Sequence, residues 1–245
     1  MPERYITNSA SSDRNAHVNG FKKVLELCVS LSHNAVILHL PTKEHLRQLS
    51  NLLDQTTIRK LNKDNYATWN NITFTLKTER LEIINWVEDI VLSLYPTSRM
   101  MDNLNDLNRA KAIVVVPWID KERDVWIKTW NPEIIGDAQE HVELLELDPR
   151  LERALVALTN TINLSTGLTH SSDKESAIQL LRILHRNSIQ LNPENMRIWA
   201  LQNGWNSDGA NQLRDFTRGV LEGKRYRVSR MNMWSEEFIE SLLKK

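Results

Sequence analysis

Ala112-Ile113-Val114-Val115-Val116-Pro117 is the stretch that decides the fold. It is apolar at every position and β-branched at four of them, so it is hydrophobic towards both faces. A strand needs that character only when helices cover it on both sides, as in the centre of a parallel sheet. Pro117 brings no N–H to the ladder and ends it. Two further segments share this form: Ala35-Val36-Ile37-Leu38-His39-Leu40 ends at Pro41-Thr42, and Asp89-Ile90-Val91-Leu92-Ser93-Leu94-Tyr95 ends at Pro96-Thr97. In each, an apolar run is followed by proline and then by a residue able to cap a helix: Thr42, Thr97 or Ser98, and Asp120. Asn71 to Lys77 alternates with period two and predicts a strand with one wet face.

Helical spacing separates these strands. Phe21, Val24, Leu25, Cys28 and Leu31 form one apolar stripe, and Leu46, Leu49, Leu52 and Leu53 form another. Leu81, Ile84 and Trp86 suggest a short helix, Met100, Met101, Leu104 and Leu107 a longer one, and Lys121 to Trp130 a fourth. Past Asn131 the pattern changes to helices alone. They are expected over Pro149–Ile162, from a Ser172-Asp173-Lys174-Glu175 capping box to His185, from Pro193 to Asn203-Gly204, from Ser207 or Asp208 to Leu221, and over Ser235–Leu243. The expected fold is α/β: a Rossmann-like parallel sheet of about four strands, then a small all-α domain. The expected layout is a flexible leader over 1–17, the α/β domain over 18–131, an acidic linker over 132–148 and the helical domain over 149–245.

Composition narrows the function. The 245 residues carry 31 basic and 31 acidic side chains, so no whole-molecule charge draws the chain to nucleic acid or membrane. No apolar run is long enough to span a bilayer, and the polar N-terminus lacks a signal-peptide core, so a cytoplasmic protein is expected. One cysteine, Cys28, allows no intramolecular disulfide, and its apolar neighbours predict a buried thiol. Seven glycines occur, none between Phe21 and Ile135. A phosphate-cradling loop after a strand needs glycine, so nucleotide binding of that kind is not expected in the α/β half. Neither a hydrolase elbow nor a zinc-protease or kinase signature is present. No catalytic residue, metal ligand or cofactor is expected.

Two binding sites remain as candidates. Between Met196 and Arg230 seven cations face three carboxylates, a local positive excess in a neutral chain. Arg214 and Arg218 share a helix face, and Lys224, Arg225, Tyr226 and Arg227 continue past the helix end. Cations with an interleaved aromatic suit a nucleic-acid backbone, with Tyr226 available to stack on an unpaired base. The leading expectation is therefore a non-catalytic binding protein whose helical half takes nucleic acid or an acidic protein surface, with homo-oligomers compatible and no membrane partner. The alternative is an enzyme or sensor that takes an anion at the carboxyl edge of the sheet, among Thr42, Lys43, Thr97, Ser98, Arg99, Trp118 and Lys121. The His170-Ser171-Ser172-Asp173 run reads as helix capping. The tryptophans Trp118, Trp126, Trp130 and Trp199 read as packing groups.

Overall fold

The computed structural model describes residues 1–9, 13–136, 145–228 and 232–244. The chain divides into two compact units, Met1–Glu143 and Leu144–Lys245.

The first unit is built on a seven-stranded sheet: β1 (Glu3–Thr7), β2 (Ala35–Leu40), β3 (Tyr66–Trp69), β4 (Ile72–Thr78), β5 (Ile90–Leu94), β6 (Ala112–Val116) and β7 (Glu133–Ile135). The strand order is β3-β4-β2-β5-β6-β1-β7. Only β3 runs antiparallel, as a hairpin on β4 whose turn places Asn70 and Asn71 at positive φ. β6 lies between β5 and β1, with Val114 opposite both Leu92 and Tyr5. All five of its residues are buried, as a central strand requires.

Alternation along the strands makes two cores. Val36, Leu38, Leu92, Val114 and Val116 meet Phe21, Val24 and Cys28 of α1 (Ala16–Ser30) on one face. Gly20 of α1 sits so close to β6 that a Cβ there would stand 2.5 Å from Val116. Ile37, Val91, Ile113 and Val115 meet Met101 and Leu104 of α3 (Ser98–Asn105) and Trp126 and Ile127 of α4 (Asp120–Trp130) on the other. Cys28 is buried, and burial pushes its thiol pKa up.

Several expectations need correction. The flexible leader over 1–17 contains β1, which pairs with β6 and β7, and α1 already begins at Ala16. The polar letters of Glu3-Arg4-Tyr5-Ile6-Thr7 hide a buried strand, because Arg4 and Thr7 are covered. The linker over 132–148 begins with β7, an edge strand; residues 137–144 of it lie outside the described residues. The sheet has seven strands rather than about four. No helix forms over Leu81–Trp86: that loop is pinned because Ile83 N–H and C=O both bond the Asn103 side chain. The stripe after Thr42 is a 3-10 helix (Lys43–Leu49) followed by α2 (Gln55–Asp64), which Asp54 caps. Asp120 opens α4 without capping it and instead accepts a hydrogen bond from Ser9 Oγ.

The second unit is helical: α5 (Pro149–Thr161), α6 (Ser171–Arg186), α7 (Pro193–Gln202), α8 (Ser207–Leu221) and α9 (Glu236–Leu243). α8 packs on α6 and α7, and α5 on α6 and α9. Leu155, Leu158, Ile178, Leu181, Met196, Trp199 and Leu213 are buried. Trp205 and Trp234 fill the rest, each donating its indole N–H, to Thr159 Oγ1 at 2.9 Å and to Ser176 O at 2.9 Å. Gly167 and Gly209 let two backbones touch: a Cβ on Gly167 would lie 2.7 Å from Gly209 Cα. The capping box at Ser172 does not form. α6 starts earlier, at Ser171, and the Asp173 carboxylate accepts the N–H of Asn163 at 3.2 Å. α8 is capped by Asn206, whose side chain accepts the Gly209 N–H at 2.7 Å.

Candidate nucleic-acid interface

The ends of α6 and α8 are shaped by the same backbone device. α8 stops at Gly223 (φ +73°), where Lys224 N–H reaches back to Gly219 O at 2.8 Å and Gly223 N–H to Val220 O at 3.1 Å. α6 stops at Ser188 (φ +57°), where Ile189 N–H reaches Leu184 O at 3.1 Å and Ser188 N–H reaches His185 O at 3.1 Å. Both are Schellman terminations, which satisfy the last carbonyls and turn the chain sharply. The turn after α8 brings Lys224 and Arg225 beside the last turn of α6.

The result is a pocket of about 280 Å³ lined by Arg182, His185 and Arg186 of α6 and by Val220, Gly223, Lys224 and Arg225. Arg182 and Arg186 are one turn apart on α6 and so project together. Among the described residues, no carboxylate lines this pocket. Arg182 is fixed by donating from Nη2 to Tyr226 O at 3.1 Å. Arg186, Lys224 and Arg225 are exposed. A cluster of like charges is held in place only by the fold, and it becomes favourable when an anion enters.

The structure sorts the six expected residues into different surroundings. Lys224 and Arg225 line the pocket, and Arg227 is exposed beyond it. Arg214 pairs with Asp215 at 3.0 Å, and Arg218 with Glu194 at 3.3 Å, so both are partly neutralised. Tyr226 lies against α8: its ring meets Phe216 edge-on at 5.6 Å, and it occupies the space a side chain at Gly219 would take. Lys224 Nζ sits 5.4 Å from the Tyr226 ring centroid. Burial, then the nearby Asp215 and Glu222 charges, push the Tyr226 phenol pKa up. Its ring is therefore engaged on the protein. Arg182, His185 and Arg186 are barely marked in the sequence. The only signal is their i, i+3, i+4 spacing, which looks like ordinary cations at a helix C-terminus.

The carboxyl edge of the sheet is arranged differently. Lys43 Nζ donates to Asn62 O at 2.6 Å, and Arg99 pairs with Glu82 at 2.6 Å. Thr97 caps α3 and donates to Glu79 Oε1 at 2.8 Å. Thr42 Oγ1 is hydrogen-bonded to His45 Nδ1 at 3.0 Å. Ser98 and Lys121 are exposed, and Trp118 is 54% exposed with its ring edge-on to Tyr95. Tyr95 sits at positive φ, and its phenol pKa is raised by burial and by the Asp13 charge. Glu79 and Glu82 thus engage Thr97 and Arg99 at this edge.

A second pocket in the helical unit, about 530 Å³, is lined by Thr161, Asn163, Thr166, Thr169, His170 and Asp173. Ser172 Oγ is hydrogen-bonded to His170 Nδ1 at 2.8 Å and donates to Asp173 at 3.1 Å. The Ser172 hydroxyl is thus shared between the imidazole and the carboxylate on either side of it. Among the described residues, no group of three or more His, Cys, Asp or Glu could hold a metal ion, and no helix is long and apolar enough to cross a membrane.

Residues 147–243 match a protein family described as a domain of unknown function, DUF1889. The matched stretch falls in the helical unit, which contains the basic pocket. No curated protein matches the chain. No solved structure matches it either.

Proposed function

We propose that the protein is a non-catalytic binding protein whose helical unit takes nucleic acid through phosphate contacts, the α/β unit serving as an interaction scaffold. One observation carries this reading: four cations from two helix ends line one concavity that, among the described residues, no carboxylate lines. Phosphate contact is the sequence-independent part of nucleic-acid binding and needs only such cations. The anion site at the sheet edge has weaker support, because Glu79 and Glu82 occupy two of its polar partners.

The test is binding of labelled DNA and RNA to the full chain over a range of salt. Arg182, Arg186, Lys224, Arg225 and Arg227 give five contacts at most, hence a log–log slope no steeper than about −4.5 on duplex DNA. The double variant Arg225→Ala, Arg227→Ala should flatten that slope by nearly two and weaken all sequences alike. Absence of salt-dependent binding to any DNA or RNA overturns the reading. Retention of an acidic polypeptide in place of nucleic acid would assign the pocket to a protein partner.

A further inference from the structure

The basic cluster is a pocket and not a stripe, and that difference carries a narrower conclusion. Phosphodiesters along a strand each hold one charge and are spaced along a line, so a protein that tracks them spreads its cations along a groove. Here Arg182 and Arg186 come from one helix, Lys224 and Arg225 from the turn after another, and all four face one space of about 280 Å³. Four cationic side chains lining one pocket exceed what a single diester needs. They suit a phosphate monoester, which carries about −1.5 to −2 charges and three strong acceptor oxygens.

Three details fit the same occupant. Arg182 is already oriented through its bond to Tyr226 O, so its remaining N–H groups need little ordering to meet an oxyanion. Gly223 forms part of the wall, and the space where its Cβ would stand is open. Among the described residues no aromatic ring lines the pocket: Tyr226 and Phe216 pack on each other, and Trp199, Trp205 and Trp234 are buried. Recognition would then depend on phosphate charge and not on a stacked base.

We propose that this pocket seats the terminal phosphate monoester of a nucleic-acid strand, making the protein a reader of phosphorylated ends. The inference rests on the nucleic-acid reading above and goes further than it.

The experiment measures affinity of the full chain, at one fixed ionic strength, for oligonucleotides of one sequence bearing a 5′-phosphate, a 3′-phosphate or only hydroxyl ends. A preference of about tenfold or more for one phosphorylated end is expected, and inorganic phosphate should compete it away. The preference should vanish in Arg186→Gln and Arg225→Gln, both at exposed positions, while the far-ultraviolet circular dichroism stays unchanged. Equal affinity for phosphorylated and hydroxyl ends, with salt-dependent binding intact, overturns the end-reading inference and leaves the nucleic-acid reading standing. Loss of binding to every oligonucleotide overturns both. A phosphoserine peptide that binds as tightly as the phosphorylated oligonucleotide overturns the assignment to a nucleic-acid end.

Discussion

The guanidinium of Arg4, on β1, lies 3.8 Å from the ring centroid of Trp130, on α4. Trp126 flanks the same group at 5.8 Å. Arg4 is buried, and its Nε and Nη2 have no hydrogen-bond partner among the described residues. Burial lowers its pKa to about 10, so it stays charged at neutral pH and the indole faces supply its stabilisation. Trp130 is held in turn by donating to Asn105 Oδ1 at 2.8 Å. Trp130→Ala should therefore cost about 3 kcal/mol, from lost packing plus an uncompensated buried charge. Arg4→Met, which removes the charge and keeps the volume, should cost much less or stabilise. Denaturant midpoints of the two variants check this; equal losses would mean that the ring–cation contact contributes nothing of its own.

Val115 sits on the β6 face that meets Trp126 and Ile127 and is fully buried. Val115→Asp places an unpaired carboxylate there, a cost of several kcal/mol against a total stability of roughly 5–15. The variant should lose cooperative melting of the α/β unit. A soluble variant with native circular dichroism and an unchanged melting curve would remove the central role assigned to β6.

His39 is buried on the sheet and hydrogen-bonded to Ser93 Oγ at 3.2 Å. Burial lowers its pKa from 6.5 to about 4. The folded pKa is below the unfolded one, so the unfolded chain takes up the proton first. Stability is then fully present above about pH 6.5 and falls as pH drops towards 4, by about 3 kcal/mol over that window. His39→Met should flatten the profile by that amount. Unfolding midpoints at pH 7 and pH 4.5 for the two proteins decide it, and parallel profiles would contradict it.

Ser188 ends α6 in the left-handed conformation that glycine adopts without cost. Ser188→Gly should stabilise the helical unit by up to about 1 kcal/mol, seen as a higher denaturant midpoint. A fall in the midpoint would show that the serine side chain contributes more than its backbone strain costs.

How far the sequence revealed this molecule depended on how local each signal was. The run Ala112–Val116 announces a central strand because its neighbours on both faces must be apolar, whichever residues they are. Glu3–Thr7 gave no such sign. Arg4 is buried only because two tryptophans from α4 cover it, a fact that no window around Arg4 contains. Glu133 looked like linker for the same reason: its strand exists only through pairing with Tyr5. The basic region divides likewise. Lys224 and Arg225 are contiguous and visible, whereas Arg182 and Arg186 join them only through the packing of α6 on α8.

The place of β1 in the sheet sets a schedule for biosynthesis. Tyr5 is opposite Val114 on one side and Glu133 on the other. A ribosome adds roughly 5–20 residues per second, so β1, made before both of its neighbours, waits on the order of ten seconds for them. Until then the nascent chain displays Ile6 and the open edge of β6's future neighbour, and the sheet closes by a long-range insertion that is intrinsically slow. Chaperone demand during synthesis should thus centre on β1.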